Sequence, residues 1–431
     1  MAVPSQTPFR IAIIGGGIGG LVAALSIHHH CQNENIQIDV YEQAPQYKEI
    51  GAGVGMGPNA AKLLDKIGLF DKAYQIAGKR GEVWVSFRRY DTGEEVVTVP
   101  VTETGKITQL PMHRAEFLDL LVREVEKRKA ATLHTKKQCR KLDDHGDTMT
   151  VTFADGSSAT ANLVIGADGI HSNVRSHYLD DNARYGNMIV YRGLCPMSEV
   201  EDWWPLESYA AAWMAPGRHF LTYPISQNKT LNLIGFVTTK WEDVGDIKES
   251  WTLTADKSAI QKEFGEFEPT VRRLLRYMHE NPLKWVLFDR QPSKRWVFSG
   301  GKVALLGDAA HSMLPHQGAG AGQAVEDGYI LGRAIQDFFR SGSRDPKGLE
   351  DWLNLYQAVR LPRAEKVQQT SRQAGELYEM QAPELKSLSY EECLPIVKRL
   401  VENRMSWIWG EDLDQIYEKA RENLSRPSAQ L

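Results

Sequence analysis

Gly15-x-Gly17-x-x-Gly20 lies between a short apolar run, Arg10–Ile14, and a run of helical spacing, Leu21–Leu25. In such a loop the first glycine permits a tight turn and the second lets the backbone approach a pyrophosphate. The third lets the helix pack close to the strand. The helix start then offers free N–H groups and the positive end of its dipole to the phosphates. Glu42 stands 22 residues after Gly20, at the end of the run Ile36–Tyr41, where a carboxylate can accept hydrogen bonds from a ribose diol. A dinucleotide is the expected ligand, and the loop alone does not separate FAD from NAD.

Further along, Pro315-His316-Gln317-Gly318-Ala319-Gly320-Ala321-Gly322-Gln323 carries glycines at alternate positions. They expose successive backbone N–H groups where a helix is expected, from about Gly322 to Phe339, and such an end stabilises negative charge on a ligand. His316 in this segment can accept a ligand's proton, orient a ligand's oxygen, or hold the loop. His311 reads as structural. In a region of strand pattern, Arg192 can pair with a carboxylate or hold a phenolate, or form a surface ion pair. Tyr223 can donate to the same oxygen or fill the core. Trp84 and Trp213 could line an aromatic pocket, although tryptophans more often fill cores. The glycines of Gly51-Ala52-Gly53-Val54-Gly55 suit either backbone approaching a flat ligand or a tight turn.

The elements that must position these residues are legible in outline. Arg10–Ile14 reads as a buried parallel strand and Ile36–Tyr41 as its neighbour, joined by a helix in one βαβ unit. Pro58–Phe70 and Arg114–Arg128 read as amphipathic helices, and Thr148–Phe153 and Leu163–Ile165 as strands. From Val83 to Val101 and from Tyr185 to Phe236 the pattern turns to β-rich runs broken by Gly, Pro and Asn. Phe220–Ile225 and Leu231–Val237 form an expected hairpin. Lys302–Leu306 returns to a buried strand, and residues after about Asp345 are helical in pattern. Two more motifs follow strands: Gly166-Ala167-Asp168-Gly169, with Ser172 and Arg175 behind it, and Gly307-Asp308 leading into Ala309-Ala310-His311.

The three motifs together, in order and each after a strand, resemble the group A flavoprotein monooxygenases over about residues 8–410. The wording Pro-His-Gln-Gly-Ala-Gly-Ala-Gly is similar to salicylate hydroxylases and their fungal relatives. The resemblance implies an α/β fold: a Rossmann-like FAD-binding domain with an inserted β-rich substrate domain and C-terminal helices. The expected division is FAD-binding in 1–78, 109–180 and 286–345, substrate domain in 79–108 and 181–285, and a helical region in 346–431. FAD would be held by Gly15, Gly17, Gly20, Glu42, Gly53, Arg114, Asp168, Asp308, Gly320 and Ala321. His316, Arg192 and Tyr223 would serve the substrate. NADH or NADPH would bind transiently, since no second glycine fingerprint appears. The implied reaction puts one atom of O₂ onto a small aromatic through a flavin C4a-hydroperoxide. Decarboxylative hydroxylation of salicylate to catechol is the expected outcome, and a dearomatising hydroxylation of a fungal polyketide phenol is the alternative. A non-catalytic FAD-binding protein would keep the same cofactor motifs. A halogenase is disfavoured because Trp407-Ile408-Trp409-Gly410 lacks the Ile-Pro ending of that signature.

Composition bounds the remaining classes. The chain has 431 residues, more than the roughly 250–300 that one hydrophobic core supports, so two lobes are expected. A net charge of -4 without a basic run argues against nucleic acid or stable membrane association. Cys31, Cys139, Cys195 and Cys393 form no CxxC pair, so reduced thiols and no metal site are expected. No signal core opens the sequence, and a cytoplasmic monomer or homodimer is the expectation. Ser428-Ala429-Gln430-Leu431 only faintly resembles a peroxisomal address. His28-His29-His30 reads as a helix terminus rather than a metal tract.

Overall fold

The computed structural model describes residues 7–47, 53–79, 81–244, 253–254, 256–278, 282–343 and 345–425. Gly51, Ala52 and the last four residues, noted above, lie outside them. A six-stranded sheet runs in the order Val297–Phe298, Val303–Leu305, Leu163–Gly166, Phe9–Ile14, Ile36–Tyr41, Thr132–His134. Its strands are parallel except for the antiparallel Val297–Phe298 edge. Ile11–Ile14 is buried on both faces, which is why it is apolar without alternation. The register pairs Ile14 with Gly166 and Gly166 with Leu305. Three strands therefore end side by side, and Gly15, Ala167-Asp168 and Gly307-Asp308 leave the sheet along one edge. Ligands of open parallel sheets bind outside the carboxyl ends of the strands, at this kind of edge.

The Ile18–His30 and Gly320–Arg340 helices cross closely because small residues face each other. A Cβ on Gly328 would lie 3.0 Å from Ala23 N, and one on Gly332 only 2.5 Å from Ser26 Oγ. The second helix starts two residues before the expected Gly322, because Gly320 and Ala321 already have helical geometry. The expected Pro58–Phe70 helix is two, Pro58–Lys66 and Phe70–Ile76, broken where Gly68 takes φ +70°.

An eight-stranded sheet forms the second layer, in the order Leu253–Thr254, Leu283–Asp289, Arg184–Pro196, Thr230–Thr238, Arg218–Ile225, Ala211–Ala215, Val83–Arg89, Glu95–Pro100. All neighbours are antiparallel except Ala211–Ala215 with Val83–Arg89. Side chains alternate between its faces. Ile189, Tyr191, Phe220, Leu231 and Leu233 pack with Ile260, Phe264, Val271 and Leu274 of two short helices. Met188, Val190, Tyr223, Ile234, Phe236 and Trp285 pack instead with Leu314, from the glycine-rich segment. One face is thus covered by the sheet's own helices, and the other turns towards the nucleotide-binding layer.

The 33-residue Pro346–Tyr378 helix joins the layers. Tyr356 Oη donates to Leu305 O (2.9 Å), Ser371 Oγ to Leu314 O (2.6 Å), and Gln368 Nε2 to Ser312 O (3.0 Å). Among the described residues no helix is long and apolar enough to cross a membrane.

Candidate active site

The three glycines of the first loop do different work. Gly15 has φ +109°, and a Cβ there would lie 2.3 Å from Ala167 O; a Cβ on Gly20 would lie 2.0 Å from Gly15 O. Neither position tolerates a side chain for reasons internal to the fold. A Cβ on Gly17 would meet nothing within 4 Å. Gly17 is the N-cap of the first helix, whose first turn has neither a side-chain cap nor an acidic residue. That leaves unpaired N–H groups beside open space, which fits a phosphate. Glu42 braces the loop, its carboxylate accepting from Gly16 N and Ala44 N, each at 2.8 Å. Each oxygen keeps a lone pair for a hydroxyl.

Asp308 is exposed although Leu306, Gly307, Ala309 and Ala310 around it are buried. Its free carboxylate on the same sheet edge fits the polyol of a dinucleotide. The Asp168 carboxylate is engaged within its own loop. It accepts from Ser172 Oγ and from the N–H groups of Asn173 (2.8 Å) and Val174 (3.2 Å), capping the short helix behind it. Burial raises its pKa against the pull of those hydrogen bonds. Arg175 ties this motif to the next: it pairs with Asp181 and donates to Ala309 O and Ala310 O, both at 3.0 Å.

The glycine-rich helix also begins uncapped. Ala319 at its N-cap contributes no side chain, no acid lies in the first turn, and Gly318 takes φ +58°. Gly55 approaches Gly318 O, 3.7 Å from where its Cβ would be. Behind this helix end lies a fully buried charge network. Arg360 pairs with Glu326 (2.5 Å) and Asp327 (2.9 Å), and Arg363 with Glu326 (2.8 Å). Burial pushes both carboxyls up, but their partners outweigh it and hold them below the usual range, Arg360 chiefly for Glu326 and His311 with Arg360 for Asp327. His311 Nε2 lies 2.5 Å from Asp327 Oδ2, so His311 belongs to the scaffold.

Arg192, Tyr223, Gly53 and Arg114 converge from four segments. The Arg192 guanidinium stacks on Trp285, 3.8 Å from the ring centre. Its Nε is buried without a hydrogen-bond partner, and among the described residues no carboxylate pairs with it. Desolvation lowers its pKa to about 10, opposed by Tyr223 and assisted by Arg114. It remains a cation near pH 7. The Tyr223 hydroxyl abuts Gly53, where a Cβ would lie 2.4 Å from Oη. Gly53 pairs with His113, which immediately precedes Arg114 at the start of its helix.

His316 is buried, and among the described residues neither ring nitrogen has a hydrogen-bond partner. Its ring lies 5.2 Å from Phe236 and 5.7 Å from His219, and its edge rests on Gly375. Desolvation first, then His219 and Arg372, push its pKa well below the ordinary value, so it is neutral at pH 7. Trp213 fills the core of the opposite sheet face, and Trp84 packs edge-on against Trp409. The aromatic beside the arginine is Trp285, which the sequence reading passed over. Its only signal was alternation with Leu287 in a late strand. Asn232, buried and without a partner for either amide atom, was also passed over.

The FAD binding domain family matches residues 9–371. Salicylate hydroxylase of Pseudomonas putida is 33% identical over 438 aligned residues, covering 96% of this chain and 95% of that one. The 6-methylsalicylate 1-monooxygenase atA of Aspergillus terreus (strain NIH 2624 / FGSC A1156) is 35% identical over 430, covering 94% and 90%. A solved salicylate hydroxylase substrate complex superposes with a TM-score of 0.82 at 29% identity, over 99% of this chain and 100% of that one.

Proposed function

This chain belongs to the FAD binding domain family as a FAD-dependent monooxygenase of the salicylate hydroxylase type, and from that premise we propose that it hydroxylates an ortho-carboxylated phenol with loss of the carboxyl group. For salicylate the balance is salicylate anion, NAD(P)H, O₂ and two protons giving catechol, CO₂, NAD(P)⁺ and water. The observation that carries the reading is Arg192, a half-buried cation stacked on Trp285, whose Nε is buried without a hydrogen-bond partner and which pairs with no carboxylate among the described residues. Such a group calls for an anionic ligand, and the apolar walls around it suit a benzene ring.

Gly17 and the first helix would hold the FAD pyrophosphate, with Glu42 and Asp308 on its hydroxyls. The Gly318–Gly322 helix start, with Gly53 and Arg114, would lie along the ring system. Bound FAD supplies hydride acceptance from NAD(P)H and the activation of O₂. Arg192 binds the substrate's anionic oxygen and fixes the ring's orientation. Tyr223 donates its hydroxyl proton to a second lone pair at that oxygen. Neutral His316, with no partner on either nitrogen among the described residues, accepts a hydrogen bond from the phenolic hydroxyl, which orients that oxygen and enriches the ring in electrons. Closely packed Phe236, Trp285 and Leu314 exclude water from the reacting carbon. The domain division given by the motifs is part of this proposal.

Oxidation of NADH or NADPH by the purified yellow protein should be stimulated by salicylate or a ring-substituted salicylate. No stimulation by any member of such a panel, together with stimulation by a resorcylic aldehyde, would replace this reading with the dearomatising one.

A further inference from the structure

Asn232 is the third residue of the Thr230–Thr238 strand, fully buried, and among the described residues neither its amide oxygen nor its amide nitrogen has a hydrogen-bond partner. A buried polar group left unpaired is costly, and a native protein keeps one only where something else satisfies it. Its neighbours along the strand, Leu231, Leu233 and Ile234, show that apolar residues are accommodated there. The register says what it faces. Asn232 stands directly opposite Tyr223, and the next residue on its face, Ile234, stands opposite Arg192. Directly opposed Cβ atoms lie about 4.5–5.5 Å apart and diagonal ones about 7–8 Å. Asn232, Tyr223 and Arg192 thus form a triangle on the sheet face that turns towards the glycine-rich segment.

We propose that Asn232 is a substrate-contact residue whose amide takes the oxygen substituent next to the oxygen held by Arg192 and Tyr223. This rests on reading the site as one for ortho-substituted phenols. Arginine only donates hydrogen bonds, whereas an amide offers a donor and an acceptor. It therefore matches a carboxyl, a carbonyl or a hydroxyl at the second position, and it leaves its own groups unsatisfied when the substrate carries one oxygen only.

The test uses the full-length, FAD-loaded protein and its Asn232→Leu and Asn232→Ser variants. Salicylate, 2,4-dihydroxybenzaldehyde and phenol are titrated against each, and binding is read from the change in flavin absorbance. Salicylate and the aldehyde should bind the Leu variant about tenfold more weakly or worse, with phenol changed by less than about threefold. The Ser variant, which keeps a polar group, should recover part of the loss. Equal weakening of all three ligands, no weakening of any, or loss of FAD in both variants would overturn the assignment. Wild-type protein that binds none of the three would remove the functional reading, and this inference with it.

Discussion

Arg192 lies over the Trp285 ring and pairs with no carboxylate among the described residues, so its contribution should appear in binding rather than in folding. Arg192→Ala should weaken salicylate binding about 10- to 100-fold with FAD retained, since a hydrogen bond to a charged group contributes roughly 1.5–3 kcal/mol. Tyr223→Phe should cost about tenfold, and both are read by titration of flavin absorbance. His316 has a pH signature. Its folded pKa lies below the unfolded value of about 6.5, so below that pH the unfolded chain binds a proton that the folded chain refuses. Its share of stability is complete above about pH 6.5 and is lost as pH falls. The decline of Tm between about pH 7 and pH 5 should be shallower in His316→Gln than in the parent; an identical decline would show that this ring does not titrate on unfolding. The residue types of the pocket were legible one by one, as a cation, a phenol and an imidazole. Asn232 was not, because an asparagine in an alternating strand reads as a solvent-facing position, and only the register reveals what it faces.

The glycine loops were legible because their requirement is local: backbone must pass close to backbone, or to a ligand, within a few residues. The structure separates these two demands, and the separation is testable. Gly15→Ala and Gly20→Ala place a Cβ within 2.3 and 2.0 Å of a carbonyl oxygen, and both should lower Tm sharply or prevent folding. Gly17→Ala meets only open space and should leave the Tm of the FAD-free protein nearly unchanged while weakening FAD retention, measured as flavin absorbance after gel filtration. Equal loss of Tm in all three would contradict the assignment of Gly17 to the ligand. The Asp168 carboxylate accepts from Ser172, Asn173 and Val174, so it fixes the shape of the turn that the Gly166–Gly169 motif makes at the sheet edge. The Gly68 break was missed because the apolar spacing of Pro58–Phe70 runs through it.

Over the whole molecule, the site exists because the long Pro346–Tyr378 helix locks the glycine-rich segment against the second sheet. The charge network of Glu326, Asp327, Arg360 and Arg363 ties that helix to the Gly320–Arg340 helix. Arg360→Met would leave two buried carboxylates short of a cation and should destabilise the protein by about 3–5 kcal/mol, read by denaturant unfolding. Order of motifs conveyed the two-layer architecture. It could not convey the meeting of Gly53, Arg114, Arg192 and Tyr223, which depends on the docking of four segments distant in the chain. If Arg192 orients the ring as proposed, oxygen replaces the carboxyl group of the substrate. Turnover of carboxyl-¹³C salicylate under ¹⁸O₂, with products read by mass spectrometry, measures this replacement. The expected products are ¹³CO₂ and catechol carrying one ¹⁸O. Retention of the ¹³C in a hydroxylated product, or NAD(P)H oxidation yielding only hydrogen peroxide, would contradict it.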